Sequence, residues 1–109
     1  MRCASMQLEQ VRHFLLLCEE MSFTRAARRC GIAQPSLSKS IRALERELGG
    51  MLFHRRPAAA LTARGRLVRP YLEQIAFASD LARRAAKEFI ECRSNPTPET
   101  TSAEPRGGG

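Results

Sequence analysis

The chain has 109 residues, 43% of them hydrophobic, which suffices for one small domain whose core needs neither metals nor disulfides. Its net charge of +7 is unevenly placed: residues 1–70 hold thirteen Lys and Arg against five Asp and Glu (+8), and residues 71–109 hold five against six (−1). Stretches 21–44 (Arg25, Arg28, Arg29, Lys39, Arg42) and 48–72 (Arg55, Arg56, Arg64, Arg66, Arg69) contain no acid. They suit a polyanion, because neutralised phosphates release counterions, although a solvated basic surface carries the same signature.

Residues 8–21 read as an amphipathic helix, with Leu8, Val11, Phe14, Leu15 and Cys18 at three- and four-residue steps and Glu9, Gln10, Arg12 and Glu19 turned outward. Ser22 is the N-cap of a short second helix with Phe23, Ala26, Ala27 and Cys30 on one face, and the alanine pair permits a close helix crossing. Gly31 ends it as a left-handed C′ residue, and Ile32 folds back onto it. A third helix begins near Gln34, with Pro35 in its first turn. Leu37, Ile41, Leu44 and Leu48 form its buried stripe, while Gln34, Pro35, Ser38, Lys39 and Arg42 occupy the opposite side. Gly49-Gly50 terminates it.

Two apolar pieces, Met51-Leu52-Phe53 and Ala60-Leu61, flank Arg55-Arg56-Pro57-Ala58-Ala59 and predict a two-stranded wing with a basic tip. Thr62 caps a long fourth helix reaching about Cys92. Its apolar positions Val68, Tyr71, Ile75, Ala78, Ala82, Ala85, Phe89 and Cys92 follow a heptad, and the alanines allow two helix axes to approach closely. The seam could pack on the first helix of its own chain. At about 1.5 Å per residue, however, the helix is about 40 Å long and outreaches so small a domain, which favours dimerisation. Pro70 should bend it. Residues 94–109, with three Pro and no apolar periodicity, are expected to be a disordered tail.

The expected fold is mainly α: a winged helix-turn-helix of three helices plus a small two-stranded wing, followed by a long dimerisation helix. The division is an extension at 1–5, a DNA-binding domain at 6–63 with the helix-turn-helix at 23–42, a linker helix at 64–93 and the tail. The third helix must bury Leu37, Ile41 and Leu44 while its N-terminal end enters a major groove. There Gln34 would hydrogen-bond a base edge and Pro35 would pack on a thymine methyl. Ser36, Ser38, Lys39 and Arg42 would reach bases or phosphates, and Arg55 and Arg56 the neighbouring backbone or minor groove. A three-helix bundle with an accidental basic face is the alternative. The Ala27–Gly31–Leu37 spacing, the acid-free face and the basic wing together favour DNA.

Other chemistries leave no trace. Cys3, Cys18, Cys30 and Cys92 show no metal-ligand spacing, and His13 and His54 complete no set, so no metal or cofactor is expected. Cys18 and Cys30 read as buried thiols, and Cys92 could form an interchain disulfide only under oxidation. No Ser/His/Asp or Cys/His arrangement, phosphate-cradling loop or room for a deep pocket points to an enzyme. No signal peptide or membrane span is legible, which implies a cytoplasmic chain without a membrane partner.

The run Met6-Gln7-Leu8-Glu9-Gln10-Val11-Arg12-His13-Phe14 resembles the opening of LysR-type transcriptional regulators. Ser22-Phe23-Thr24-Arg25-Ala26-Ala27, Gln34-Pro35-Ser36-Leu37-Ser38-Lys39 and Ile41-Arg42-Ala43-Leu44-Glu45 continue the resemblance. So do Leu48-Gly49, Leu52-Phe53 with Arg55, and Leu61-Thr62 with Gly65, which carries it from residue 6 to about residue 90. It implies a winged helix-turn-helix with a dimerising linker helix, interrupted dyad DNA sites, and Met6 as the original start. The sequence departs from that pattern at Ala33, where a serine cap is usual, in a wing one residue short with Ala58-Ala59-Ala60 on its far strand, and at Arg64. The family's effector-binding domain is not in the sequence, so no small-molecule inducer site is expected. The leading expectation is a homodimeric, sequence-specific DNA-binding transcription regulator. The competing one is a short LysR-type form that heterodimerises with full-length relatives and modulates them.

Overall fold

The computed structural model describes residues 6–94, with side chains described through Ile90. The elements in chain order are α1 (Leu8–Glu20), α2 (Phe23–Cys30), α3 (Gln34–Glu47), β1 (Phe53–His54), β2 (Ala60–Leu61) and α4 (Ala63–Ser94). This is a mainly helical winged helix-turn-helix followed by a long helix. The expected extension at 1–5, the side chain of Cys92 and the expected tail beyond Ser94 lie outside the described residues.

Each helix boundary has a local cause. Gln10 Oε1 accepts from the Gln7 N–H at 3.1 Å and opens α1. Met21 closes it one residue earlier than the periodicity predicts, adopting a left-handed φ of 52° with its N–H on the Leu17 carbonyl at 2.7 Å. Ser22 caps α2, its Oγ accepting from the Arg25 N–H at 3.1 Å. Gly31, at φ 72°, ends α2, and the Ile32 N–H reaches back to the Ala27 carbonyl at 3.1 Å. Ala33 supplies no side-chain cap to α3, and its carbonyl accepts from the N–H groups of Ser36 at 3.0 Å and Leu37 at 3.1 Å.

The core brings all these pieces to one place. Val11, Phe14, Leu17 and Cys18 of α1 meet Ala26 and Ala27 of α2, Leu37, Ile41 and Leu44 of α3, Leu52 and Phe53 beside the wing, and Leu72 of α4. Leu17 is fully buried although the predicted stripe used Leu15, which is only partly covered. Phe53 anchors the wing, with its ring edge-to-face against Phe14 at 5.7 Å and Phe23 at 6.2 Å. A hydrogen bond of 2.8 Å between His13 Nδ1 and Ser40 Oγ ties α1 to α3.

The wing is minimal: Phe53 pairs with Leu61 and His54 with Ala60, antiparallel. Two residues per strand cannot hold themselves together, so side chains from the flanking helices do it. Thr62 donates its hydroxyl to the Met51 carbonyl at 2.7 Å, accepts from the Gly65 N–H at 2.9 Å, and sends its own N–H to the Leu52 carbonyl at 2.9 Å. That last approach leaves no space over Gly65, where a Cβ would strike the Leu52 carbonyl oxygen.

The described residues fall into two compact units that divide between Ala76 and Phe77. The opening turns of α4 belong to the first, because Leu72 is buried and Val68 packs against the core. Val68 thus faces its own domain, unlike the other described positions of the heptad. The helix is unbroken through Pro70, at the cost of one intrahelical hydrogen bond. In the second unit Arg83 pairs with Asp80 at 3.4 Å, and Phe77, Leu81, Phe89 and Ile90 are exposed.

Candidate nucleic-acid interface

With Leu37, Ile41 and Leu44 completely buried, the opposite side of α3 is held outward. On that side Gln34, Pro35, Ser38 and Arg42 line a shallow concavity. Gln34, Pro35, Ser36, Lys39 and Arg42 are exposed and Ser38 is half-buried. Helical spacing of three and four residues adds Arg46 to the row Lys39–Arg42, one turn beyond the residues singled out from sequence. Its signal was the same spacing that marks the buried stripe.

The basic residues differ sharply in availability. Arg29 Nη1 lies 2.8 Å from Glu19 and 3.0 Å from Glu20, and Arg25 Nε lies 3.2 Å from Glu20. Arg25 also donates to the Glu20 carbonyl at 2.7 Å. The hydrogen bond from Arg29, with help from Arg25, holds the Glu20 carboxyl below its usual range. A stretch free of acids in sequence is therefore not free of acids in space, because the end of α1 supplies two carboxylates to α2. Arg28, Lys39, Arg42 and Arg46 carry no ion pair among the described residues.

The wing separates its two arginines in the same way. Arg56 is exposed and carries no ion pair among the described residues. Arg55 turns inward instead, with Nη1 3.5 Å from Glu45 Oε1 and its guanidinium carbon 5.1 Å from the centre of the Phe23 ring. Its Nε and Nη2 are buried without a hydrogen-bond partner. Glu45, an acid sequence reasoning passed over, is the hub: its Oε2 accepts from the N–H groups of Leu52 at 2.9 Å and Phe53 at 3.3 Å. Its only signal was position, one of two carboxylates (with Glu47) between two acid-free stretches. Arg64 donates to the Leu48 carbonyl at 3.1 Å, close to the negative end of the α3 dipole. Arg66 donates to the Leu61 carbonyl at 3.3 Å and Arg69 pairs with Glu73 at 3.1 Å.

On α4 the predicted seam residues Tyr71, Ile75, Ala78, Ala82, Ala85 and Phe89 are exposed, as are Leu67 and Leu81. Among the described residues no helix is long and apolar enough to cross a membrane.

An outward polar helix face, a close turn from a short helix and a basic wing define the winged helix-turn-helix class of nucleic-acid-binding domain. Comparison with known proteins narrows the class. The sequence model of the bacterial regulatory helix-turn-helix proteins of the lysR family matches residues 8–66, more than half of the chain. The HTH-type transcriptional regulator IlvR of Caulobacter vibrioides is 48% identical over 76 residues, covering 69% of this chain and 26% of that protein. An SDS degradation transcriptional activation protein of a Pseudomonas species is 52% identical over 62 residues, 56% of this chain and 20% of its own. Among solved structures, the BenM DBD in complex with catB site 1 DNA superposes with a TM-score of 0.72 at 35% identity, over 78% of this chain and 97% of that one. The chain belongs to the LysR family of bacterial regulatory helix-turn-helix proteins. It spans about a quarter of the length of the curated relatives it matches.

Proposed function

We propose that this chain regulates transcription as a dimer that reads dyad DNA, with the N-terminal half of α3 in the major groove of each half-site. One observation carries the reading. Arg25 and Arg29 of α2 and Arg55 at the wing root face Glu19, Glu20 and Glu45, whereas Lys39 and Arg42 remain without acid partners on the outward side of α3, among the described residues. A fold that spends its few acids elsewhere leaves its positive potential concentrated on the helix that must meet phosphate.

In this arrangement Gln34 and Arg42 contact base edges, Pro35 packs on a thymine methyl, and Ser36, Ser38 and Lys39 reach bases or phosphates. Arg56 extends the contact from the wing. Arg55, expected beside it, acts instead by holding the wing against Phe23 and Glu45. The solved complex of the BenM DBD with DNA supports the docking mode for this chain. Two copies associate through the exposed face of α4, where Tyr71, Ile75, Ala78, Ala82, Ala85 and Phe89 are joined by Leu67 in place of the inward-facing Val68.

Selection of bound sequences from a random DNA pool, followed by titration of the selected site, tests the proposal. An interrupted dyad should emerge, and Gln34→Ala and Arg42→Ala should each weaken it about tenfold or more relative to random DNA. Selection of no sequence, or indifference to both substitutions, would remove α3 from the recognition role.

A further inference from the structure

The hydroxyl of Thr24 donates to Oε1 of Gln34 at 3.1 Å. Thr24 lies in the first turn of α2 and Gln34 opens α3, so the bond joins the two helix starts that the turn at 31–33 brings together. Both residues are exposed, and the Gln34 side chain makes no other hydrogen bond among the described residues.

A glutamine amide can present either of two faces. Its carbonyl accepts and its NH2 donates, and a half-turn about the last torsion exchanges them. In the structure Oε1 faces the Thr24 hydroxyl, which leaves Nε2–H2 as the unengaged half, whereas the opposite orientation needs that hydroxyl to accept. We propose that Thr24 is a positioning residue that sets which half of the Gln34 amide is offered to DNA, so that Gln34 reads its base by donating a hydrogen bond. This inference rests on the reading of Gln34 as a base contact.

The consequence for sequence is specific. In the major groove, guanine (O6, N7), adenine (N7) and thymine (O4) all present acceptors, whereas cytosine presents its N4 amino donor. An amide held with its NH2 outward donates to any of the first three and meets cytosine donor to donor. Water competes for the Thr24–Gln34 bond while both side chains are exposed. Where a bound groove desolvates the pair, a mismatched pair of donors costs more.

The test is a parallel selection from a random pool with wild type, Gln34→Ala, Thr24→Val and Thr24→Ser, together with each variant's thermal midpoint. Valine keeps the branched shape without the donor, and serine restores the donor. Wild type should exclude cytosine at one position in each half-site, and Gln34→Ala should erase that exclusion. Thr24→Val should relax it about three- to tenfold, the range of one neutral hydrogen bond, with other positions and the thermal midpoint unchanged. Thr24→Ser should restore it. If Gln34→Ala alters no position, the base-reading role of Gln34 fails and the inference falls with it. If Gln34→Ala alters a position that Thr24→Val leaves untouched, that favours cytosine, or at which Thr24→Ser behaves like valine, the role of Thr24 alone is overturned. A uniform loss of affinity across all sequences in Thr24→Val also overturns it.

Discussion

The carboxylate of Glu45 and the guanidinium of Arg55 face each other across 3.5 Å between α3 and the wing. The same carboxylate receives the N–H groups of Leu52 and Phe53, so one side chain of α3 fixes both the entry of the wing and the arginine that leaves it. Glu45 is 7% exposed, which makes its partners expensive to abandon.

Glu45→Ala should therefore destabilise the domain by about 3 kcal/mol, because it strands two N–H groups and a largely covered cation. Glu45→Gln, which keeps an acceptor, should lose about half as much. Arg55→Ala should cost less, about 1–2 kcal/mol, since the Glu45 carboxylate keeps its backbone donors. Urea unfolding midpoints check the order. Equal losses for the three variants would contradict the hub role.

The division of the arginines predicts a division of salt effects. Removing one cation from a phosphate reduces the slope of log affinity against log salt by about 0.9. Lys39→Ala and Arg56→Ala should each show a decrement near that size. Arg25→Ala and Arg29→Ala, whose charges already face Glu19 and Glu20, should leave the slope nearly unchanged. Binding isotherms at several salt concentrations measure this directly.

Gly65→Ala should cost about 2–3 kcal/mol, since its Cβ would collide with the backbone carbonyl of Leu52 inside the wing-to-helix junction. Gly31→Ala meets no atom within 4 Å and loses only the ease of a positive φ, about 1 kcal/mol. Thermal melts should rank the two in that order.

Burial pushes the Cys18 thiol from 9.0 up to about 11, with Arg69 opposing the shift. The folded state holds the proton longer than the unfolded chain, so the folded state loses stability as pH rises from about 9 towards 11. At about pH 10.5 the loss amounts to about 2 kcal/mol relative to neutral pH. Cys18→Ala removes this titration, so the stability gap between wild type and variant should narrow by that amount. Urea midpoints of both proteins at neutral and alkaline pH provide the measurement.

Ile75→Glu should raise the dissociation constant of the proposed dimer at least about tenfold, because a charge would replace an aliphatic side chain worth roughly 1.5–3 kcal/mol of burial. Sedimentation analysis would register the shift, and an unchanged association state would move the dimer contact away from this face of α4.

The sequence by itself determined the elements and the outward helix face. The Ser22 cap, the Gly31 stop and the Leu37–Ile41–Leu44 stripe are local or periodic signals, and such signals survive without knowledge of what packs on them. The tertiary structure decided which charges and which apolar residues are spent inside the fold. Arg25, Arg29 and Arg55 look like Lys39 and Arg42 in a linear count. They differ because α1 and α3 carry carboxylates to them across 5 to 10 residues of chain, and ion pairing depends on distance in space. Val68 sat on a valid heptad for the same reason: periodicity identifies a helix face, and only packing says whether the first turns of that face meet the core or stay open. The Thr24–Gln34 bond was illegible in sequence, since two polar side chains ten residues apart signal nothing until a three-residue turn brings their helices end to end.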